Sequence, residues 1–435
     1  MRSRIPEEPS SEEEIKRIIR WGAPAEAKEK EQPTHLIDRL RHSCYLAKDP
    51  PHRALSPRER LVAQYRKDGL VLFLGAGLSE GSGIPNWNSL IKDMFRKVGL
   101  DPKTARRAAP SSIYAQFDLV ALRSGGQMEF CKNLYHCLYH QARFKRLKDR
   151  LERIPFERKK QRAWSGWTGV RKELAKNKTL GEVGDLLILD DSQKQARRNP
   201  QIHAVLNVNV DNLLEVYCLA KTSGNKHLLT MVDRASVGDH PDAIPVYHLH
   251  GVLDARDENF RRIDSPCVGE NVQPITEELL PRLVFRESDY FKTIADPASF
   301  VNHAPLSYFQ RLNVLFIGTS LDDLNIRRWL YSSCQERVEQ RTKYLQELYD
   351  KIYRDARFEA KLESVRHFWL RPRREEMKGK EVNMSRKTTE LIDLVMRDLG
   401  VQVVWCNDFC DMQQCIHELR ETGREPEFGR RAFTR

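Results

Sequence analysis

Apolar residues along this chain fall into two rhythms. Predominantly apolar runs recur at 70–75, 203–208, 245–250, 313–318, 366–370 and 401–406, and runs of that length read as buried strands. Between them the spacing lengthens to three and four residues. Trp87, Leu90, Ile91, Met94, Phe95 and Val98 share one face of a predicted helix over 87–98. Ile326, Trp329, Leu330, Val338, Leu345, Leu348 and Ile352 mark one long helix or two over 322–360, and 386–399 reads as another. The stretch from about 105 to 200 is a helical insertion between the first and second strands. Buried strands alternating with helices predict an α/β fold, a Rossmann-like parallel sheet of about six strands with helices on both faces. No internal repeat is visible.

The ends of the chain break this pattern. Residues 1–55 are polar and carry several prolines, with one short helix predicted where Ser11 and Glu14 form a capping box ahead of Ile15, Ile18 and Ile19. The expected division is an N-terminal arm or regulatory extension over 1–55, one α/β domain over 56–422, and a basic tail over 423–435. A chain of 435 residues with 40% apolar residues can bury a substantial core. No run approaches the roughly 18 apolar residues that span a membrane, and the start lacks the apolar segment of a secretion signal. No membrane association and a cytoplasmic setting are therefore expected. Nine cysteines do not make a disulfide framework in so long a chain. Cys406, Cys410, Cys415 and His417 cluster, but at a spacing foreign to common zinc sites, beside Ile416 and Leu419, which suits thiols buried by a helix.

The net charge of +12 is unevenly spread. Between Arg143 and Lys178 there are fourteen Lys or Arg against four acids, a local excess of +10. A solvated helical surface is the favoured reading. Docking of nucleic acid, with Trp164 and Trp167 as stacking groups, is the sharper and less favoured one, since no nucleic-acid module accompanies the patch.

The chemistry concentrates after the first strand. Gly75, Ala76 and Gly77 let backbone approach a pyrophosphate, and the free N–H groups of the following helix face the anion. The N-terminus of the 87–98 helix is the expected phosphate position. The third glycine of an ordinary dinucleotide fingerprint would fall at Glu80, so the dehydrogenase version is not matched. Ser79, then Ser82-Gly83-Ile84-Pro85 and Trp87, complete the string. Three later segments stand at strand ends, where open α/β sheets gather ligands. They are Asn207-Val-Asn209-Val-Asp211-Asn-Leu-Leu-Glu215, then Val246-Tyr-His248-Leu-His250-Gly251, then Gly318-Thr319-Ser320-Leu-Asp322-Asp323. Asn209 offers an amide to a water or a ribose, and Asp211 suits ribose hydroxyls or the strand end. A histidine titrates near neutrality and can take a proton from a ribose hydroxyl or a water, but strand spacing alone leaves His248 and His250 both open. Ser320 or Asp322 also suits a plain helix cap.

Taken in order, these four segments resemble the sirtuin family. The resemblance implies an NAD+ site. It assigns catalysis to Asn209 and to His250 of the His-Gly pair. It assigns cofactor contacts to Gly75, Ala76, Gly77, Ser79, Pro85, Trp87, Asp211, Gly318, Thr319 and Ser320. It further implies that the helical insertion forms a smaller lobe. Sirtuin deacylases carry two Cys-x2-Cys pairs for a structural zinc after the His-Gly motif, whereas this chain has only Cys267 between Gly251 and Gly318. No zinc is expected. The zinc-free pattern looks like the sirtuin-like effectors of prokaryotic antiviral defence, which consume NAD+ as substrate. The expected function is an NAD+ glycohydrolase releasing nicotinamide and ADP-ribose. It would be a homo-oligomer, held silent until a partner such as a defence-system ATPase or a viral trigger engages it. The alternatives are a non-catalytic module that binds NAD+ or ADP-ribose, and an NAD-dependent deacylase or ADP-ribosyltransferase.

Overall fold

Glycine-rich strand ends and amphipathic helices alternate through the computed structural model. It describes residues 55–108, 112–140, 144–154, 164–188, 201–224, 228–231, 243–255, 283–296, 298–348, 365–377 and 380–424. By its contacts the chain divides between Leu55 and Ser56, and the second unit is the one described. The Ser11–Glu14 capping box, Cys267 and the tail beyond Arg424 lie outside the described residues.

The elements open with α1 (Pro57–Asp68), β1 (Leu70–Leu74), α2 (Gly77–Glu80) and α3 (Trp87–Lys97). The insertion carries α4 (Pro102–Ala108), α5 (Ile113–Ser124), α6 (Gln127–Tyr139), α7 (Lys145–Leu151), α8 (Trp167–Leu174) and α9 (Lys178–Leu187). There follow β2 (Ile202–Asn207), α10 (Leu213–Lys221), β3 (Leu228–Met231), β4 (Ile244–His248), α11 (Glu287–Ala295), α12 (Phe300–Arg311), β5 (Val314–Ile317) and α13 (Leu324–Leu348). The chain closes with β6 (His367–Pro372), β7 (Arg374–Met377), β8 (Lys380–Asn383), α14 (Arg386–Asp398), β9 (Val401–Cys406) and α15 (Phe409–Arg424).

Seven strands form one sheet in the order β3-β4-β2-β1-β5-β6-β9, and every neighbouring pair is parallel. All six predicted strands are present. The seventh, β3, is a four-residue edge strand whose apolar run is broken by Thr230. A separate antiparallel hairpin, β7–β8, is built from charged segments.

Alternation along β1 sorts the core. Leu70, Leu72 and Leu74 join Leu90, Ile91, Met94 and Phe95 of α3, with the helices of the insertion and α15, on one face. Val71 and Phe73 meet Phe309, Trp329, Leu330 and Met396 on the other. Strand residues that point alternately to two helical layers explain why β1 and β5 are apolar at every position. The insertion shares its core with the first face: Phe117, Phe130, Leu147, Trp167 and Val183 belong to the same buried cluster as Leu72. Trp167 is 2% exposed and stacks edge-on with Trp164 at 5.1 Å, so that ring is a packing group and cannot serve as an open stacking platform. Cys406 and Cys415 are buried and Cys410 is exposed, with Ile416 and Leu419 buried on α15. No described helix is long and apolar enough to cross a membrane.

The sheet order places the site. From β1 the chain moves to β2 on one side, and β5 returns to pair on the other side of β1. The strand order therefore reverses at β1, and ligands of open α/β sheets gather at the carboxyl ends of strands flanking such a reversal.

Candidate functional site

The glycine turn is built against the end of β5. Gly75 N–H donates to the Ile317 carbonyl at 3.0 Å and Gly77 N–H to the Gly318 carbonyl at 2.9 Å. A Cβ on Gly75 would lie 2.6 Å from the Gly318 oxygen and 2.7 Å from Thr319 Cβ, so only glycine permits this backbone approach. Gly318 itself holds φ +68°, with Leu78 N 2.6 Å from where its Cβ would be. Two predicted binding segments thus meet at the reversal point. The trailing Thr319 hydroxyl accepts from Leu321 N–H at 3.3 Å and its carbonyl accepts from the Trp369 indole at 2.9 Å, while Ser320 is exposed.

The helix that the glycines open is α2, a single turn, and α3 begins only at Trp87. This corrects the expectation that the 87–98 helix presents its N-terminus directly behind the turn. Its first turn is capped by Asn86, whose side chain accepts from Ser89 N–H at 3.0 Å, because Ser82–Pro85 must first bring the chain around. Glu80 accepts from the Asn86 amide at 2.9 Å. From the end of the insertion, buried Asn177 donates to the Leu78 carbonyl at 2.7 Å and to Ser82 Oγ at 3.0 Å, which fixes the loop from behind. Sequence reasoning missed Asn177 because an isolated asparagine carries no motif.

Strand β2 delivers Asn209. Its register with β4 pairs Asn207 with His248, so Asn209 and His250 each lie two residues beyond that pair, side by side past the strand ends. The Asn209 amide donates to the Gly75 carbonyl at 3.0 Å, and its backbone N–H donates to Asn207 Oδ1 at 3.0 Å. Asn209 Oδ1 is buried without a partner. Ser79 Oγ donates to Asp211 Oδ1 at 2.9 Å, and the same oxygen accepts from Leu213 N–H at 3.1 Å at the start of α10. Burial pushes the Asp211 carboxyl up to about 6 against the opposing pull of those two hydrogen bonds. Ser79 and Asp211 are therefore a bonded pair beneath the site.

The two histidines separate cleanly. His248 is locked, with Nε2 2.6 Å from Glu215 Oε1 and Nδ1 3.1 Å from the Asn209 carbonyl. Burial alone would lower its proton affinity, but the Glu215 charge and these hydrogen bonds prevail and raise it. His250 is 4% exposed, and its proton affinity is lowered by burial against the weaker pull of Asp323 and the Val208 backbone. Its Nε2 lies 3.1 Å from the Tyr290 hydroxyl, and its Nδ1 has no partner in hydrogen-bonding geometry. Of the two, His250 keeps a ring nitrogen for chemistry.

Aromatic rings wall this histidine in. Trp87 meets it edge-on at 6.1 Å and stacks against Phe285 at 5.0 Å and Phe117 at 5.7 Å. Tyr290 Oη donates to Asp323 Oδ2 at 2.8 Å, and Tyr114 donates to the same oxygen. The other oxygen, Asp323 Oδ1, accepts from Asn325 and Ile326 N–H and so caps α13; the cap is Asp323, and not Ser320 or Asp322, which the sequence offered as alternatives for that role. Tyr114, Phe117, Phe285 and Tyr290 were not singled out in the sequence, since they come from the insertion and from around α11, far from any motif.

A cavity opens beside Trp87 and Asn209, and neither His250 nor Gly318–Ser320 is among its lining residues. Its lining includes Ala76, Pro85, Trp87, Asn209, Asp211 and Phe285, five of them expected from the sequence. Among the described residues no group of three or more His, Cys, Asp or Glu is arranged to hold a metal ion.

Residues 203–387 match the family model of the SIR2-like domain. The matched stretch contains Asn209, Asp211, His250 and Gly318–Ser320, while the glycine turn at 75–77 lies ahead of it. SIR2-like domains use NAD+, and the buried polar atoms left open at the ends of β2 and β4 agree with an NAD-related function. No curated protein matches the chain.

Proposed function

We propose that this chain, sirtuin-like by its SIR2-like domain, is an NAD+ glycohydrolase that cleaves NAD+ to nicotinamide and ADP-ribose. The observation that carries the reading is the pair of buried polar atoms without a hydrogen-bond partner, Asn209 Oδ1 and His250 Nδ1, at adjacent strand ends. Buried polar atoms without partners are rare in a folded core and cluster where a ligand completes them.

The reaction breaks the bond between the nicotinamide nitrogen and the ribose carbon. The nitrogen keeps the electron pair and leaves as neutral nicotinamide, and water oxygen bonds to the carbon. His250, neutral in its apolar setting, accepts the proton that the water loses. Asn209, anchored by its amide on the Gly75 carbonyl, presents Oδ1 to orient that water or a ribose hydroxyl. Trp87 and Phe285 exclude bulk solvent from the cavity that Asn209 lines. The glycine turn, with Gly77 exposed and Gly75 packed on Gly318, leaves backbone free of side chains beside the phosphates.

The biological setting proposed is antiviral defence through depletion of cellular NAD+, with an oligomer or a partner protein releasing the activity. The test is turnover by His250→Ala and Asn209→Ala beside the parent chain. Loss of nicotinamide release in both variants, with unchanged thermal unfolding, supports the assignment. Parental turnover in either variant overturns it.

A further inference from the structure

We propose that Asp323, acting through Tyr290, fixes His250 as the Nε2–H tautomer and so leaves Nδ1 as its proton acceptor. The argument is a count of protons. The Tyr290 hydroxyl has one, and it lies 2.8 Å from Asp323 Oδ2 and 3.1 Å from His250 Nε2. A phenol and a carboxylate at that distance with no proton between them repel, so the proton goes to Asp323. Burial together with the Asp323 charge keeps Tyr290 protonated. With its proton committed, the Tyr290 oxygen can only accept; the neighbouring Tyr114 hydroxyl gives its own proton to Asp323, so the partner the Tyr290 oxygen accepts from is Nε2–H. A neutral imidazole carries one N–H, which leaves a lone pair on Nδ1, the ring atom without a partner.

The competing arrangement puts the proton on Nδ1, facing the Val208 backbone, and makes Nε2 the acceptor. It would require Tyr290 to abandon Asp323. Tyr114 donates to the same Asp323 oxygen, and its ring lies 4.1 Å from that of Tyr290, so the carboxylate collects two hydroxyl protons on Oδ2. Its other oxygen is held by the first N–H groups of α13. Asp323 is thus immobilised by a helix cap and orients the hydroxyls that orient the histidine; it is a positioning residue. Its consequence for turnover rests on His250 being the base, but the tautomer itself does not.

Asp323→Asn is the diagnostic variant. Asparagine Oδ1 keeps the cap, so Nδ2 takes the place of Oδ2 and donates to Tyr290. The tyrosine proton is then released to His250 Nε2, and the ring proton moves to Nδ1. The full chain labelled with 15N-histidine is examined by long-range 1H–15N correlation, with the His250 signals assigned by their loss in His250→Gln. The expected result is a protonated Nε2 and a lone-pair Nδ1 in the parent, and the reverse in Asp323→Asn. A parent spectrum with Nδ1–H overturns the proposal even if the variant fails to fold, and so does a variant spectrum identical to the parent's. Turnover of NAD+ by Asp323→Asn and Tyr290→Phe should fall about tenfold or more. A chain that shows the expected tautomers but never releases nicotinamide leaves the positioning intact and refutes the hydrolase reading instead.

Discussion

Asp211 supplies a quantitative test of how desolvated the site is. Its carboxyl is 4% exposed and is pushed up from 3.8 to about 6, chiefly by burial. In the unfolded chain it titrates at the ordinary value. Because the native value is the higher one, the folded state binds the proton more tightly. The stability that proton contributes is complete below about pH 4 and is lost as pH rises to about 6. A shift of about two units corresponds to about 3 kcal/mol in all, of which about 2 kcal/mol falls between about pH 4.5 and 7.5. Asp211→Asn has no proton to lose, and it keeps an oxygen for the Ser79 hydroxyl and the Leu213 N–H that Asp211 accepts from. Urea unfolding of parent and variant across this range should show the variant gaining about 2 kcal/mol on the parent from low to high pH. A difference that stays flat with pH would show that Asp211 is not held as an acid in a dry site, and would refute the reasoning.

Other consequences follow from single contacts. Gly318→Ala should cost at least about 2 kcal/mol in chemical denaturation, since it adds a left-handed φ penalty to a backbone clash with Leu78 N; an unchanged midpoint would contradict the packing of the glycine turn on β5. Glu215→Ala leaves buried His248 without its partner and should destabilise by about 3 kcal/mol at mildly acid pH. Because the His248 proton affinity is raised in the fold, that pair's contribution is full below the ordinary histidine value and fades as pH climbs through the raised one, so the cost of Glu215→Ala should shrink in alkali. Trp167→Ala should lower stability by about 3 kcal/mol or more as a core deletion, whereas reversal of exposed charges on the same segment should move the unfolding midpoint little.

Which parts of this were legible in the sequence follows from what produces each signal. Six strands announced themselves through apolar runs, most plainly where every position is buried, as in Leu70–Leu74 and Val314–Ile317. Strand β3, broken by Thr230, and the charged β7–β8 hairpin did not. Asn209 and Asp211 came from a motif, and the glycines from their chemistry at a strand end. Spacing left His248 and His250 both open and only the His-Gly resemblance selected His250; the physical reason lies in the third dimension, where Glu215, four residues past Asp211 on α10, and the Asn209 carbonyl hold both ring nitrogens of His248. Tyr290 and Asp323 were hidden for a related reason. Their role is a contact between the starts of α11 and α13, and nothing in local spacing records it.

The central claim is that NAD+ is the substrate and water the acceptor. The most direct measurement incubates the purified chain with NAD+, alone and with a partner protein that engages it, and quantifies nicotinamide and ADP-ribose by chromatography. The account predicts that both appear in equal amounts and without any added acyl peptide, and that His250→Ala yields neither. NAD+ that is bound yet recovered intact under both conditions would contradict it, as would nicotinamide release that depends on an acylated peptide.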